Sequence, residues 1–247
     1  DWSSDVCSSD LLGHSGLTTT AVSKTLSPGA MIVANRDLRV HAAGARWPVE
    51  ALAQLVILER PHPRETQSGD MTFYERSPSK LRLAVIDGLG HGPAAREAAQ
   101  RAIQALTGQL SLSLEDAVMK AHLSAAATRG ATLGMVDVDL EAKLVRATTI
   151  GNIRVVIFFG GGRLWSPCGT DAVLGHGRGT LHGRLAVRVE QHPVPSDTIF
   201  ALFSDGLQNQ LRLPMQRTAD LSEMALTLFA TYSVPNDDAT LMLVSCT

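Results

Sequence analysis

Four aspartates in this chain of 247 residues sit where an apolar run meets glycine or a turn residue. Asp70 lies in SGDMTFY, Asp87 closes LRLAVID ahead of glycines, Asp205 closes TIFALFSD ahead of Gly206, and Asp237 lies in PNDDATLMLV. Aspartates at strand ends project into a common space when their strands terminate together. Four carboxylates gathered there repel one another unless cations neutralise them. Two divalent ions balance the four negative charges, and oxygen-only ligands suit Mg2+ or Mn2+. A two-metal site of this kind lowers the pKa of a bridging water and aims it in line at phosphorus. Taken singly, an Asp before Gly reads as a turn residue. Asp87 and Asp205 together resist that reading, because each follows a buried apolar strand where an uncompensated carboxylate is costly.

Rival chemistries fit less well. The succession of strand, G-L-G-H-G and helix resembles a dinucleotide fingerprint, but its third glycine position falls on Pro93, and a second helix stands where a ribose-binding acid should follow. The sequence contains no H-E-x-x-H, G-x-S-x-G or Walker pattern. Ser204 precedes Asp205 without a recognisable His partner, which argues against a serine nucleophile. His176, His182 and His192 fall in glycine- or proline-punctuated loops and read as surface residues.

The elements that must position the aspartates are legible as alternating strand and helix periods. Strands are expected at Gln54–Leu58, Leu81–Ile86, Ala131–Asp137, Leu144–Ile150, Arg154–Phe159, Leu185–Val189, Thr198–Phe203 and Ala239–Val244. Pro93 marks a first helical position, and Ala95, Ala98, Ala99, Ala102, Ile103 and Leu106 form one small-residue face suited to close packing on a sheet. A second helix starts at Ser113, with Asp116 three residues on as a capping-box variant. A third starts at Asp220 with Glu223 at N3, and buries Leu221, Met224, Ala225, Leu228 and Phe229. Two helices arrive together and hairpin-linked strands follow. That order argues for an α+β fold of mostly antiparallel strands covered by helices.

Composition sets the outer bounds. Hydrophobic residues make up 45% and charged residues 19%, as in a folded chain, and this length buries a core without disulfides or zinc. A net charge of −2 argues against a nucleic-acid or anionic-lipid partner. Three dispersed cysteines and no C-x-x-C indicate a reducing compartment, so a cytoplasmic location is expected. No apolar run approaches the ~20 residues of a membrane span, and no membrane partner is expected. Residues 1–28, Ser/Asp- and Ser/Thr/Gly-rich, are expected to be a disordered or non-native leader, with 29–247 forming one domain.

Six segments together resemble the bacterial branch of the metal-dependent serine/threonine phosphatases, the protein phosphatase 2C superfamily, in its SpoIIE subgroup. They are RPHPRETQSGD, AVIDGLGHG, RGATLGMVDVD, TIGNIRVVIF, FSDGLQN and DDATLMLV, in family order over residues 55–246. The resemblance implies an αββα sandwich of two mostly antiparallel sheets flanked by helices, with two divalent ions, Mn2+ or Mg2+, at one end. It implies Asp70, Asp87, Asp205 and Asp237 as metal ligands, with Asp87 bridging, the Gly88 carbonyl as a further ligand, and Asp237 preferred to Asp238. Many relatives carry a histidine directly after the D-G pair. Here that position is Leu89, and His91 becomes the candidate proton donor. A phosphate-gripping arginine is also typical, for which Arg60 and Arg64 are both candidates. The implied activity is hydrolysis of phosphoserine or phosphothreonine on a phosphorylated STAS-type stress or sigma-factor regulator. A catalytically inactive binding module of the same pathway is the alternative.

Overall fold

Apolar runs that keep a two-residue period with both faces buried belong in a sheet covered on both sides. In the computed structural model, which describes residues 31–38, 53–177, 180–181, 184–195, 197–209, 211 and 220–246, LRLAVI is such a strand. Leu81, Leu83 and Val85 enter one core and Ala84 and Ile86 another. The expected leader, residues 1–28, lies outside the described residues.

Thirteen strands and three helices are described. The strands are β1 (Met31–Leu38), β2 (Ala53–Arg60), β3 (Asp70–Arg76), β4 (Lys80–Gly88), β5 (Ala131–Asp139), β6 (Leu144–Ile150), β7 (Arg154–Phe159), β8 (Arg163–Trp165), β9 (Thr180–Leu181), β10 (Arg184–Leu185), β11 (Glu190–Pro193), β12 (Thr198–Phe203) and β13 (Ala239–Cys246). The helices are α1 (Pro93–Leu106), α2 (Leu114–Ser124) and α3 (Leu221–Tyr232). One sheet runs β1-β2-β13-β12-β7-β8 and the other β11-β6-β5-β4-β3, with β9 and β10 as a separate pair. Every pairing between these strands is antiparallel.

The cores define the layers. One lies between the sheets, from Ile57, Leu83, Val136, Phe200 and Met242 among others. A second lies under α1 and α2, and a third under α3. The order is helices, five-stranded sheet, six-stranded sheet, helix: the αββα sandwich. The alanine face of α1 is buried as its spacing requires. Ser113 caps α2, its side chain accepting the Asp116 N–H.

Two local readings change. Leu185–Val189 is not one strand: β10 ends at Leu185 and β11 begins at Glu190. Its alternation records packing of buried Leu185 and half-buried Val187 and Val189 against the α1/α2 core, and the chain turns there, Val187 N–H donating to the Leu185 carbonyl. Asp220 stands at the start of α3 without capping it through its side chain. Arg82, inside the apolar run, is fully buried. It faces Asp137 across β4 and β5, and its Nε and Nη2 donate to the two carboxylate oxygens at 2.6 and 2.7 Å. Its other bonds go to the Gln109 and Leu112 carbonyls. Together they pin the α1–α2 connection to the sheet. Among the described residues, no helix is long and apolar enough to cross a membrane.

Candidate metal centre

Each sheet delivers two of the four aspartates to the same end of the sandwich. Asp70 is the first residue of β3 and stands opposite Asp87 on β4. Asp205 follows the end of β12, and Asp237 precedes the start of β13, its neighbour in the other sheet. Ser204 ties the sheets together: its hydroxyl donates to Asp70 Oδ2 at 2.6 Å and accepts the Thr240 N–H at 3.0 Å. Buried and doubly bonded, Ser204 is scaffold. Asn152, in the β6–β7 turn, donates to Asp205 Oδ2 at 2.6 Å.

Close backbone approach makes two glycines obligatory. A Cβ on Gly88 would lie 1.8 Å from the Ala95 carbonyl oxygen, so α1 rests on the Asp87–Gly88 turn. A Cβ on Gly206 would lie 1.8 Å from the Asp238 carbonyl oxygen, so the Asp205 turn rests on the Asp237–Asp238 segment. Neither approach tolerates a side chain. The turns that carry the acids are therefore held against one another by backbone.

The electrostatics express the crowding. Burial first, and then the Asp70, Asp205 and Asp237 charges, push Asp87 up to about 10. Burial, opposed by the Ser204 hydrogen bond, raises Asp70 to about 7. Asp205 is raised by burial and by Asp237, with Asn152 acting against the shift. Asp238 differs: it is buried and its two oxygens accept the His62 and Gly69 N–H groups at 2.7 and 2.9 Å. Its carboxylate is spent on fastening the 61–69 loop, which leaves Asp237 as the ligand candidate of the pair.

Cations that prefer oxygen ligands fit this donor set. Two buried hydroxyls at the cluster lack partners among the described residues. One is Thr132, the partner of Asp87 across the β4–β5 pairing. The other is Thr240, close enough to Asp70 to favour its charged form but outside hydrogen-bond geometry. The ligand waters of a hydrated cation would supply what both lack. Among the described residues, no three His, Cys, Asp or Glu side chains close into a ligand cage. The aspartates instead border an open end of the sandwich, where bound ions would retain several waters, as Mg2+ does.

The remaining candidates separate. Arg60 turns away: its guanidinium bonds the Ser233 hydroxyl and the Val234 carbonyl and lies over the Phe229 ring. It is a fastening for the end of α3, which corrects its reading as a phosphate ligand. Arg64 is exposed on the 61–69 loop. His91 Nδ1 is 2.7 Å from Glu65 Oε1, and its ring stacks on His62 at 4.4 Å. Two features escaped the sequence. Arg129 reaches the Gly90 turn from outside the acidic motifs. A cavity of about 550 Å3, bordered by Leu89, Thr132, Asn152 and the 166–173 segment, opens beside the centre.

The family model described as stage II sporulation protein E (SpoIIE) matches residues 77–247, which hold three of the four aspartates. The chain belongs to this family. Its fold is that of solved PP2C phosphatase domains. It is similar to the phosphoserine phosphatase RsbX of Bacillus subtilis, with 22% identity over 181 residues, 71% of this chain and 85% of RsbX. A structure of RsbX with magnesium superposes at a TM-score of 0.70, with 20% identity over 79% of this chain and 96% of the other. The PP2C domain of Bacillus subtilis SpoIIE, solved with a fragment of its regulatory domain, gives 0.64 at 15% identity over 96% and 85%. These two likenesses bear on the fold.

Proposed function

We propose that this SpoIIE-family chain hydrolyses phosphoserine or phosphothreonine on a folded bacterial regulator, with Asp70, Asp87, Asp205 and Asp237 holding two divalent ions. The observation that carries the reading is the meeting of these four carboxylates, two from each sheet, with Asp87 raised to about 10 by burial and by the other three. When bound, the ions supply a water of lowered pKa and neutralise phosphoryl charge. The chain's own part is positional. The Asp87–Gly88 turn, braced by α1, presents a carboxylate and the Gly88 carbonyl. Ser204 and Asn152 orient the Asp70 and Asp205 carboxylates. His91, oriented by Glu65, is assigned as proton donor to the departing serine oxygen. The substrate assignment is a phosphorylated STAS-type regulator in stress or sigma-factor signalling in the cytoplasm. It is supported by likeness to RsbX and, at 26% identity and a TM-score of 0.71 over 78% of this chain and 98% of the other, to a structure reported for the bacterial stressosome system. Residues 29–247 are assigned to one phosphatase domain.

The test is hydrolysis of p-nitrophenyl phosphate and of a phosphoserine protein with Mn2+, with Mg2+ and with chelator. Activity with either ion and none under chelation is expected. Equal turnover under chelation defeats the reading. Binding of the phosphoprotein with no hydrolysis under any metal would select the inactive-module alternative.

A further inference from the structure

We infer that Arg129 grips a phosphoryl oxygen of the substrate at this centre, an inference that rests on the phosphatase reading above. Arg129 immediately precedes Gly130, whose carbonyl accepts the Leu89 N–H at 3.0 Å. That bond fastens the Arg129 segment to the turn running from Gly88 to Gly92. From there the guanidinium lies over Gly90, where a Cβ would come within 3.1 Å of Nη1. Gly90 itself borders the centre: its carbonyl oxygen is 3.4 Å from the place a Cβ would take on Gly69, next to Asp70.

The guanidinium is exposed, and among the described residues it has no hydrogen bond or ion pair. Neighbouring cations are committed elsewhere. Arg96 bonds the Ser68 carbonyl, Arg154 bonds Asn209, and Arg60 is held at the end of α3. Arg64 is exposed, but its recorded bond is a backbone one to His62 within its own loop. An uncommitted planar fork beside a phosphoryl site matches two phosphate oxygens, which a point charge cannot. It also lies against the turn that follows Asp87 and Gly88. The Arg129 guanidinium and the Asp87 carboxylate thus flank one turn, Gly88 to Gly92.

The experiment compares the Mn2+-loaded parent chain with Arg129→Ala, Arg129→Lys and Arg64→Ala. Inorganic phosphate binding is measured by calorimetry, and KM by p-nitrophenyl phosphate hydrolysis. Arg129→Ala should weaken phosphate binding and raise KM in parallel by roughly tenfold, the scale of one charge-assisted hydrogen bond. Arg129→Lys should recover part of the loss. Mn2+ affinity, titrated separately, should match the parent, which separates phosphate contact from a damaged fold. Unchanged phosphate affinity in Arg129→Ala overturns the inference, as does a larger effect from Arg64→Ala. A parent chain that hydrolyses nothing defeats the phosphatase reading alone, and the calorimetric comparison still decides for or against Arg129.

Discussion

Asp87 lies between Asp70 on the adjacent strand and Asp205 and Asp237 from the opposing sheet, and all three raise its pKa. Its neighbours differ in what they offer in return: Ser204 donates to Asp70 and Asn152 to Asp205. Asp87 and Asp205 were legible in the sequence because each closes an apolar run, whereas Asp70 and Asp237 read as turn residues when taken singly and stood out only as members of the set. Arg129 was not legible, since nothing in RGATLG marks a side chain that folds back over the distant glycine turn at Gly90. Arg60 misled because proximity to Asp70 along the chain says nothing of which way a guanidinium turns. His91 yields a test at this scale. A serine alkoxide needs a proton to depart, whereas p-nitrophenolate departs without one. His91→Gln should therefore lower turnover on a phosphoserine peptide at least ~10-fold more than on p-nitrophenyl phosphate. Equal losses on the two substrates would remove His91 from proton transfer.

At the scale of elements, the helices that brace the centre depend on one buried ion pair. Arg82 and Asp137 face each other across β4 and β5, Lys80 joins them at 2.9 Å, and Arg82 holds the α1–α2 connection through two carbonyls. Asp137→Ala leaves Arg82 buried without its counter-charge and should cost about 3–5 kcal/mol of stability. Chemical unfolding measures it, and a loss under ~1 kcal/mol would mean the pair is not what secures the helices. Strands with clean apolar runs, such as β12 and β13, were readable from residue type because burial on both faces leaves few alternatives. β1, β8 and β9 escaped, the last two being only three and two residues long. The Leu185–Val189 segment shows the converse. Alternation there reports which side chains are buried, while strand identity requires a ladder partner that the sequence does not reveal.

Across the whole molecule, acids raised by burial couple stability to pH. Glu59 and Asp70 stand at about 7 and Asp87 at about 10, all above their ordinary values of 4.5 and 3.8. The folded metal-free chain thus holds protons that the unfolded chain releases. Its stability should fall as pH rises from about 4 through 7 and beyond, because folding takes up protons across that window. Divalent ions compete with the same protons, so the rise in melting temperature given by Mn2+ should grow with pH. Melting curves with chelator and with Mn2+ across that range check both trends. A metal-free stability that climbs between about pH 5 and 7, with a pH-independent Mn2+ increment, would contradict the clustering of ionisable carboxylates.

The central claim is that these aspartates, through the ions they hold, make the chain a phosphatase. Phosphate release from a phosphoserine protein tests it most directly, measured with Mn2+, after chelation, and after Mn2+ is restored, in the parent chain and in Asp87→Asn. Asp87→Asn preserves shape but weakens the shared ligand. The expected result is activity that vanishes on chelation, returns with the ion, and falls at least ~100-fold in the folded variant, about 2.7 kcal/mol of transition-state stabilisation. Release that survives chelation, or a folded Asp87→Asn chain that works as well as the parent, would contradict it.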